Sequence, residues 1–344
     1  MKYEVTIGIP VYNVENYIRE TLESALNQSF ESIEFLVLDD RGTDGSMAIV
    51  RELQTSHPRG CDIRVITQPY NMGIGHGRNR IIDEASGRYL FFLDSDDVLP
   101  PHAIKQLYSA AQTYQAQIVY GSHYRIEEYG VERRIIANTN EFMLFVKVDD
   151  FANYAFEKYG NISANVWKYL IDINIYRENN LRFPIINFWE DFYMTIDLPT
   201  YIQRAVFIPD VTYHYYSRYG TLSNNQKRDH ISKQEVLDIV HAIGHLKENG
   251  ARIAAKSYFL KRTLKVMMTE FYMVCYILKH HDVIHPSFTA CELHDMIKSP
   301  LRMNELLGIS SWKLKNLCFY ILGVFPSYVS VSVIKIVGRF KHLI

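Results

Sequence analysis

The sequence predicts an α/β domain with a mainly parallel central sheet, followed by a helical C-terminal region. Short apolar runs alternate with amphipathic stretches over residues 4–121, which is the rhythm of strand–helix–strand units. Beyond residue 228 only helical periodicity remains. Polar motifs directly follow the apolar runs, and open parallel sheets bind ligands beyond the carboxyl ends of their strands.

Strands are expected over 4–9, 34–38, 63–67, 88–93 and 117–120. Between the first two, Ile18, Leu22, Ala25 and Leu26 share one helical face, with Asn16 as the candidate N-cap. A second helix follows Asp44-Gly45-Ser46, a third runs from 75 to 85 and stops at Gly87, and a fourth starts after Pro100-Pro101. Further helices are expected over 230–249, 251–279 and 289–307.

The 344 residues allow two domains. Lys and Arg number 37 against 38 Asp and Glu, a net charge of −1 that argues against a globally basic nucleic-acid binder. A hydrophobic share of 48% with 22% charged residues excludes wholesale disorder and a multi-span membrane protein. Cys61, Cys275, Cys291 and Cys318 have no metal-ligand spacing and are expected as reduced thiols. The first apolar run is broken at Pro10 and is too short for a signal peptide, so a cytoplasmic location is expected.

Four strand ends carry unusual content. They are Pro10-Val11-Tyr12-Asn13, read as a rigid turn with an aromatic face and an amide; Asp39-Asp40-Arg41-Gly42-Thr43-Asp44-Gly45-Ser46; Asn71-Met72-Gly73 through Gly77-Arg78-Asn79; and Asp94-Ser95-Asp96-Asp97. The second also reads as a turn and helix cap. Gly73, Gly75 and Gly77 give GxGxG rather than GxGxxG and do not follow the first strand, which argues against a dinucleotide loop. A helix cap needs one carboxylate, whereas the fourth stretch has three within four residues. Such crowding calls for a positive charge, and a divalent cation is the economical one.

Together these stretches resemble the family 2 inverting glycosyltransferases, GT-A-fold enzymes that move sugars from nucleotide-sugar donors. The resemblance continues through Trp167-Lys168-Tyr169, Leu181-Arg182-Phe183-Pro184, Glu190-Asp191 and the aromatic run from Tyr213 to Ser223. It implies a GT-A domain over 1–228, with a nucleotide-binding half over 1–121 and an acceptor-side half over 122–228, ahead of a helical region over 229–344. It also implies that Pro10, Tyr12, Asn13 and Asp39 line the pocket of the base, usually uracil, and that Arg78 lies near the diphosphate. Asp94 and Ser95 would approach the donor, and Asp96 would hold the metal, manganese or magnesium given hard oxygen ligands. Asp191 is the expected catalytic base, with Glu190 beside it, and His214 and Arg218 are candidates for the diphosphate side. Trp167, Trp189 and Tyr213 read equally as sugar-stacking surfaces or as core. The chain departs from the family pattern at Gly77, where Ala is usual, and at Arg41-Gly42, where Gly-Ser is usual.

The implied reaction moves a hexosyl or N-acetylhexosaminyl group from a UDP-sugar to a glycan or lipid-linked acceptor in surface polysaccharide synthesis. A sugar nucleotidyltransferase would instead carry a glycine-rich phosphate loop directly after the first strand. A non-catalytic glycan-binding protein on the same fold would have lost carboxylates that this chain keeps. Residues 317–334 carry no charge and are flanked by Lys313, Lys315, Lys335, Arg339 and Lys341. Gly323, Pro326 and three serines argue against a membrane span there. Two short helices on the inner membrane face, or a hairpin packed on its own domain or on a second subunit as a homo-oligomer, remain the alternatives.

Overall fold

The computed structural model describes residues 2–129, 132–157, 162, 164–186, 189–218, 229–299, 303 and 313–344. The chain forms two compact units, Met1–Phe151 with Ser163–Gln226, and Ala152–Ile162 with Lys227–Ile344. The segment Ala152–Ile162 goes with the helical unit, not with the half of the chain in which it lies, because Ala152 and Phe156 pack against Ile253 and Tyr258.

The described residues of the first unit contain strands β1 (Val5–Val11), β2 (Ile33–Asp39), β3 (Ile63–Thr67), β4 (Tyr89–Phe92), β5 (Ile118–Tyr129), β6 (Glu132–Asn138), β7 (Met143–Phe145), β8 (Tyr169–Asp172) and β9 (Ala205–Arg218). They form one sheet in the order β3-β2-β1-β4-β8-β5-β9-β7, with β6 paired to β5. The strands β3, β2, β1 and β4 are mutually parallel. An antiparallel β8 then separates β4 from β5, and β9 runs parallel to β5. The helices are α1 (Ile18–Leu26), α2 (Ser46–Ser56), α3 (Ile74–Glu84), α4 (Ala103–Tyr114), α6 (Asn174–Glu178) and α7 (Glu190–Asp197), while α5 (Asp150–Glu157) passes into the second unit from Ala152 onward.

Period-two alternation along β1 sorts the two faces. Val5, Ile7, Ile9 and Val11 join the core made with α1, α2 and α4. Gly8 faces the other way, where an added Cβ would lie 2.4 Å from Cγ2 of Ile81 on α3. The chain runs outward from β1 through β2 to β3 and then crosses back to β4 on the other side of β1. That reversal opens a crevice between the carboxyl ends of β1 and β4, where ligands bind in such sheets.

Two local expectations are corrected here. Asn16 does not cap α1: Tyr17 occupies the cap position with no side-chain bond, and the first turn closes through Ile18 N–H to the Val14 carbonyl at 3.0 Å. Pro10 does not sit in a turn but is buried inside β1. The last ladder bond from β4 runs from Leu93 N to Gly8 O at 3.0 Å, so by alternation Pro10 turns its nitrogen to the same side just past the end of pairing. A residue without an N–H breaks no bond there.

The described residues of the second unit include a two-residue parallel pairing of β10 (Ile231–Ser232) with β11 (Ile284–His285). Its helices are α8 (Lys233–Glu248), α9 (Phe259–Lys279), α10 (Ala290–Met296), α11 (Lys313–Val324) and α12 (Ser327–Phe340). The helix expected over 289–307 ends at Met296, and residues 300–302 and 304–307 lie outside the described residues. The uncharged run 317–334 is divided at Phe325-Pro326 between α11 and α12. Among the described residues no helix is long and apolar enough to cross a membrane.

Trp167 lies in the core of the first unit at 3% exposure. Its ring stacks between Tyr213, 4.3 Å away at 18°, and Tyr215, 5.3 Å away at 10°. Of the two readings open for Trp167 and Tyr213, both residues take the core one. Replacing Trp167 by Ala should lower unfolding stability by about 3–5 kcal/mol, read as a shifted urea midpoint; an unchanged midpoint would show that the stack carries no load.

Candidate active site

Four loops meet at the crevice, and hydrogen bonds tie them together. The loop after β1 is joined to the loop after β2 by Thr43 N to Asn13 Oδ1 at 2.7 Å, Glu15 N to Asp44 Oδ2 at 2.8 Å and Val14 N to Ser46 Oγ at 2.9 Å. Asn13 sits at φ 52 in the left-handed region that Asn tolerates, and its side-chain carbonyl is committed to this link. Tyr12 stands 46% exposed at the mouth. Asp39 is buried at the end of β2 and accepts from Arg41 N at 2.9 Å. Arg41 itself has φ 61, a conformation that favours glycine; its Nε is held by the Gln68 carbonyl at 2.7 Å.

Asp40 fixes the third loop by accepting from Met72 N at 2.9 Å and Gly73 N at 3.1 Å. Burial pushes its proton affinity above the usual carboxylate range, against the pull of those two donors. From Gly73 the chain enters α3, where an added Cβ at Gly75 would lie 2.3 Å from the Pro184 carbonyl. At Gly77 it would meet only Cδ2 of Leu38, the movable end of a side chain. The Ala that the family usually has at Gly77 would need the buried Leu38 side chain to shift, whereas Gly75 is required by a backbone.

The next two residues organise the site. Arg78 is 3% exposed. Its Nη1 donates to Glu190 Oε1 at 2.7 Å and to Asp191 Oδ1, and its Nη2 donates to Asp94 Oδ1 at 3.2 Å. The guanidinium also lies 5.5 Å from the Phe183 ring centre and 5.9 Å from that of Phe92. Arg78 is thus enclosed by carboxylates. Asn79 grips the chain leading to those carboxylates, donating Nδ2 to Phe183 O and accepting from Phe183 N, each at 2.8 Å.

Burial raises the proton affinity of Asp191, and the charges of Glu190 and Asp94 add to that rise while Arg78 opposes it. Trp189 starts α7 from a left-handed conformation at φ 69. Its neighbours Asn187 and Phe188 lie outside the described residues, as does the end of the aromatic run from Tyr219 to Ser223.

The acidic cluster after β4 splits into three environments. Asp97 is buried and accepts from Tyr213 Oη at 2.8 Å and Tyr216 N at 2.7 Å, so it braces β9 and does not face a ligand. Tyr213 Oη also accepts from Asp94 N at 3.2 Å. Ser95 is buried, with its carbonyl bonded to Thr21 Oγ1 at 3.1 Å. Asp96 is half-buried, and its pKa is pushed up to about 6 by burial and by the Asp94 charge. The positive charge that the cluster calls for is supplied in part by Arg78 and Arg218.

Arg218 donates to the Asp96 carbonyl at 2.6 Å and to Glu128 Oε2 at 3.1 Å, and lies over the rings of Tyr216 and Tyr17 at 4.1 and 4.5 Å. His214 meets the motif through its backbone, paired with Val98, while its ring stacks on Tyr124 at 5.5 Å. Burial lowers the pKa of that ring, which is the direction of a neutral packing residue. Among the described residues no three His, Cys, Asp or Glu side chains are grouped so that they could by themselves hold a metal ion. Asp96 nevertheless fits a hard divalent cation, because a crowded, partly open carboxylate gains from one.

Residues 6–173 match the model of glycosyl transferase family 2. This stretch of the chain belongs to the family. It is 30% identical over 231 residues to the glycosyltransferase GlyA of Streptococcus pneumoniae, covering 64% of this chain and 31% of that protein. It is 29% identical over 216 residues to the poly(ribitol-phosphate) beta-glucosyltransferase of Bacillus spizizenii, covering 62% of this chain and 32% of that one. The chain therefore spans about a third of the length of these two curated relatives. The solved structure of S. aureus TarS 1-349 in complex with UDP-GlcNAc superposes with a TM-score of 0.58 at 18% identity, covering 93% of this chain and 90% of that one. The fold is of the GT-A type expected for the family.

The bonds of Asn79 to Phe183 and of Tyr213 to Asp97 join residues over 100 positions apart, so nothing local in the sequence announces them. The only signal for Asn79 was its place beside Arg78. Replacing Arg78 by Ala strands three carboxylates and should cost about 3–5 kcal/mol of stability at neutral pH. Asp191, whose proton affinity burial already raises, then loses the opposing cation, so the deficit should shrink as pH falls toward the unfolded carboxylate range. Urea titrations at neutral and mildly acidic pH check this; a deficit independent of pH would contradict the charge argument.

Proposed function

We propose that this chain transfers a hexosyl or N-acetylhexosaminyl group, with inversion, from a UDP-sugar to a hydroxyl of a glycan or lipid-linked acceptor in surface polymer synthesis. The observation that carries the reading is that one buried guanidinium, Arg78, holds the donor-side carboxylate of Asp94 and the acceptor-side carboxylates of Glu190 and Asp191 together. Family membership supports the reaction class, and the UDP-GlcNAc complex of TarS supports a uridine donor. The glucosyltransferase that acts on poly(ribitol phosphate) supports a surface polymer as acceptor.

The donor lies across the ends of β1, β2 and β4, with Tyr12 and Asp39 toward the base and Asp94 toward the ribose. The acceptor hydroxyl attacks the anomeric carbon from the face opposite the diphosphate. As that carbon–oxygen bond forms, the bond to the phosphate oxygen breaks and UDP leaves with the electron pair. The hydroxyl proton passes to Asp191, whose proton affinity burial has raised into a range useful for a base. Asp96 would hold Mn2+ or Mg2+ together with donor phosphate oxygens, and such a cation supplies charge neutralisation for the leaving diphosphate. Arg218 adds a fixed positive charge beside Asp96.

Calorimetric titration with UDP and several UDP-sugars, in manganese, in magnesium and in chelator, tests the donor site. Metal-dependent binding that disappears in Asp96→Ala is the expected result, and the tightest UDP-sugar names the donor. Absence of binding to every UDP species would sink the uridine reading.

The base has its own test. Asp191→Asn should keep donor binding but slow acceptor-dependent UDP release about 10²–10⁴-fold. In the unmodified protein the rate should fall on the acid side as Asp191 takes up a proton. Unaltered release by Asp191→Asn, or a flat acid limb, would remove Asp191 from the base role.

A further inference from the structure

The helix α12 is apolar on two opposite sides. Ser330, Val331, Ile334 and Gly338 form its buried side. The ridge Tyr328, Ser332, Ile336 and Phe340, spaced every four residues, points away from it. Tyr328 and Ile336 are each 69% exposed and Phe340 is 80% exposed. Val324 and Phe325, at the corner between α11 and α12, are exposed as well. Singly exposed apolar residues are ordinary, but an apolar ridge along one helix is not.

Charge is arranged around that ridge. Lys335 and Arg339 form an adjacent exposed row, again four residues apart, and Lys341 is exposed beyond it. No Asp or Glu follows Glu305, although the whole chain has a net charge of −1. The positive excess is therefore local to the segment bearing the apolar ridge. Fourteen residues make a helix about 21 Å long, too short to span a bilayer but sufficient to lie along one.

We propose that this face of α12 docks on an anionic lipid surface, with Ile336, Phe340 and Phe325 entering the boundary of the acyl chains and Lys335, Arg339 and Lys341 meeting the headgroups. An interfacial helix of this kind combines buried apolar area with attraction to acidic lipids. Tyr328 suits the water boundary, with an apolar ring and a polar tip. The same face is poorly suited to a second copy of the chain. A two-fold contact through this face would set the Lys335 and Arg339 rows against each other. The inference does not depend on the sugar-transfer reading, because it rests on residues of the second unit alone.

The test is flotation of the full chain with phosphatidylcholine vesicles, with and without phosphatidylglycerol, at low and high salt. Binding should need the anionic lipid and weaken with salt. Lys335→Gln and Arg339→Gln should each weaken it about fivefold. The double variant Ile336→Ser with Phe340→Ser should weaken it about tenfold or more. Both side chains are exposed, so an unchanged melting temperature in that variant separates lost docking from lost folding. Absence of anionic vesicle binding, or binding that ignores these substitutions, would overturn the proposal. So would a dimer in light scattering that dissociates in the double variant while vesicle binding persists, which would assign the face to a second copy.

Discussion

The buried guanidinium of Arg78 is the constraint on which the rest of the site depends. Taking a charge out of water costs several kcal/mol and is tolerated only where opposite charges are held in good geometry. Here the compensation is divided between the end of β4, through Asp94, and the start of α7, through Glu190 and Asp191. Two stretches nearly a hundred residues apart in the chain are thereby fixed around one cation. Asn79, the next residue, secures the backbone at Phe183 from the same helix. The Arg-Asn pair thus works as a unit, one member setting charge and the other setting chain position. Because three carboxylates share one cation, negative charge is left in excess, and burial expresses that excess as the raised proton affinity of Asp191.

Much of the first unit was legible because its signals are local. Apolar periodicity marked β1 to β4 and α1 to α4 to within a few residues, since each strand or helix of a parallel sheet buries a face that repeats along its own sequence. The strands β6 to β9 went unassigned. The partners of β7, β8 and β9 are distant in the chain, and β8 is a four-residue strand inserted antiparallel between two others, an order that no local period encodes. The cap at Asn16 failed for a related reason: backbone bonds to Val14 closed the first turn, and the loop itself was held by Asp44 and Ser46 from another strand end.

The site residues show the same division between type and direction. Carboxylates after β4 were visible as a cluster, but the sequence has no information on which way each points. Asp97 turns inward to Tyr213 and Tyr216, Asp94 turns to Arg78 while staying partly exposed, and Asp96 is likewise left partly open. The aromatics were ambiguous in the same sense, and stacking of Trp167 between Tyr213 and Tyr215 decides two of them for the core. In the second unit the uncharged run 317–334 was legible as composition. The face that α12 leaves uncovered depends on which residues pack, and that is a tertiary fact.

Pro10 has a consequence for how the crevice can vary. Pairing between β1 and β4 stops where the next donor on β1 would be the missing proline N–H. Zipping the two strands further would go without that bond. A subtraction from the backbone thus favours the opening. Loops at its rim are free to change length and chemistry without the sheet closing over the gap, so one scaffold can be refitted for different cargo while its floor stays put.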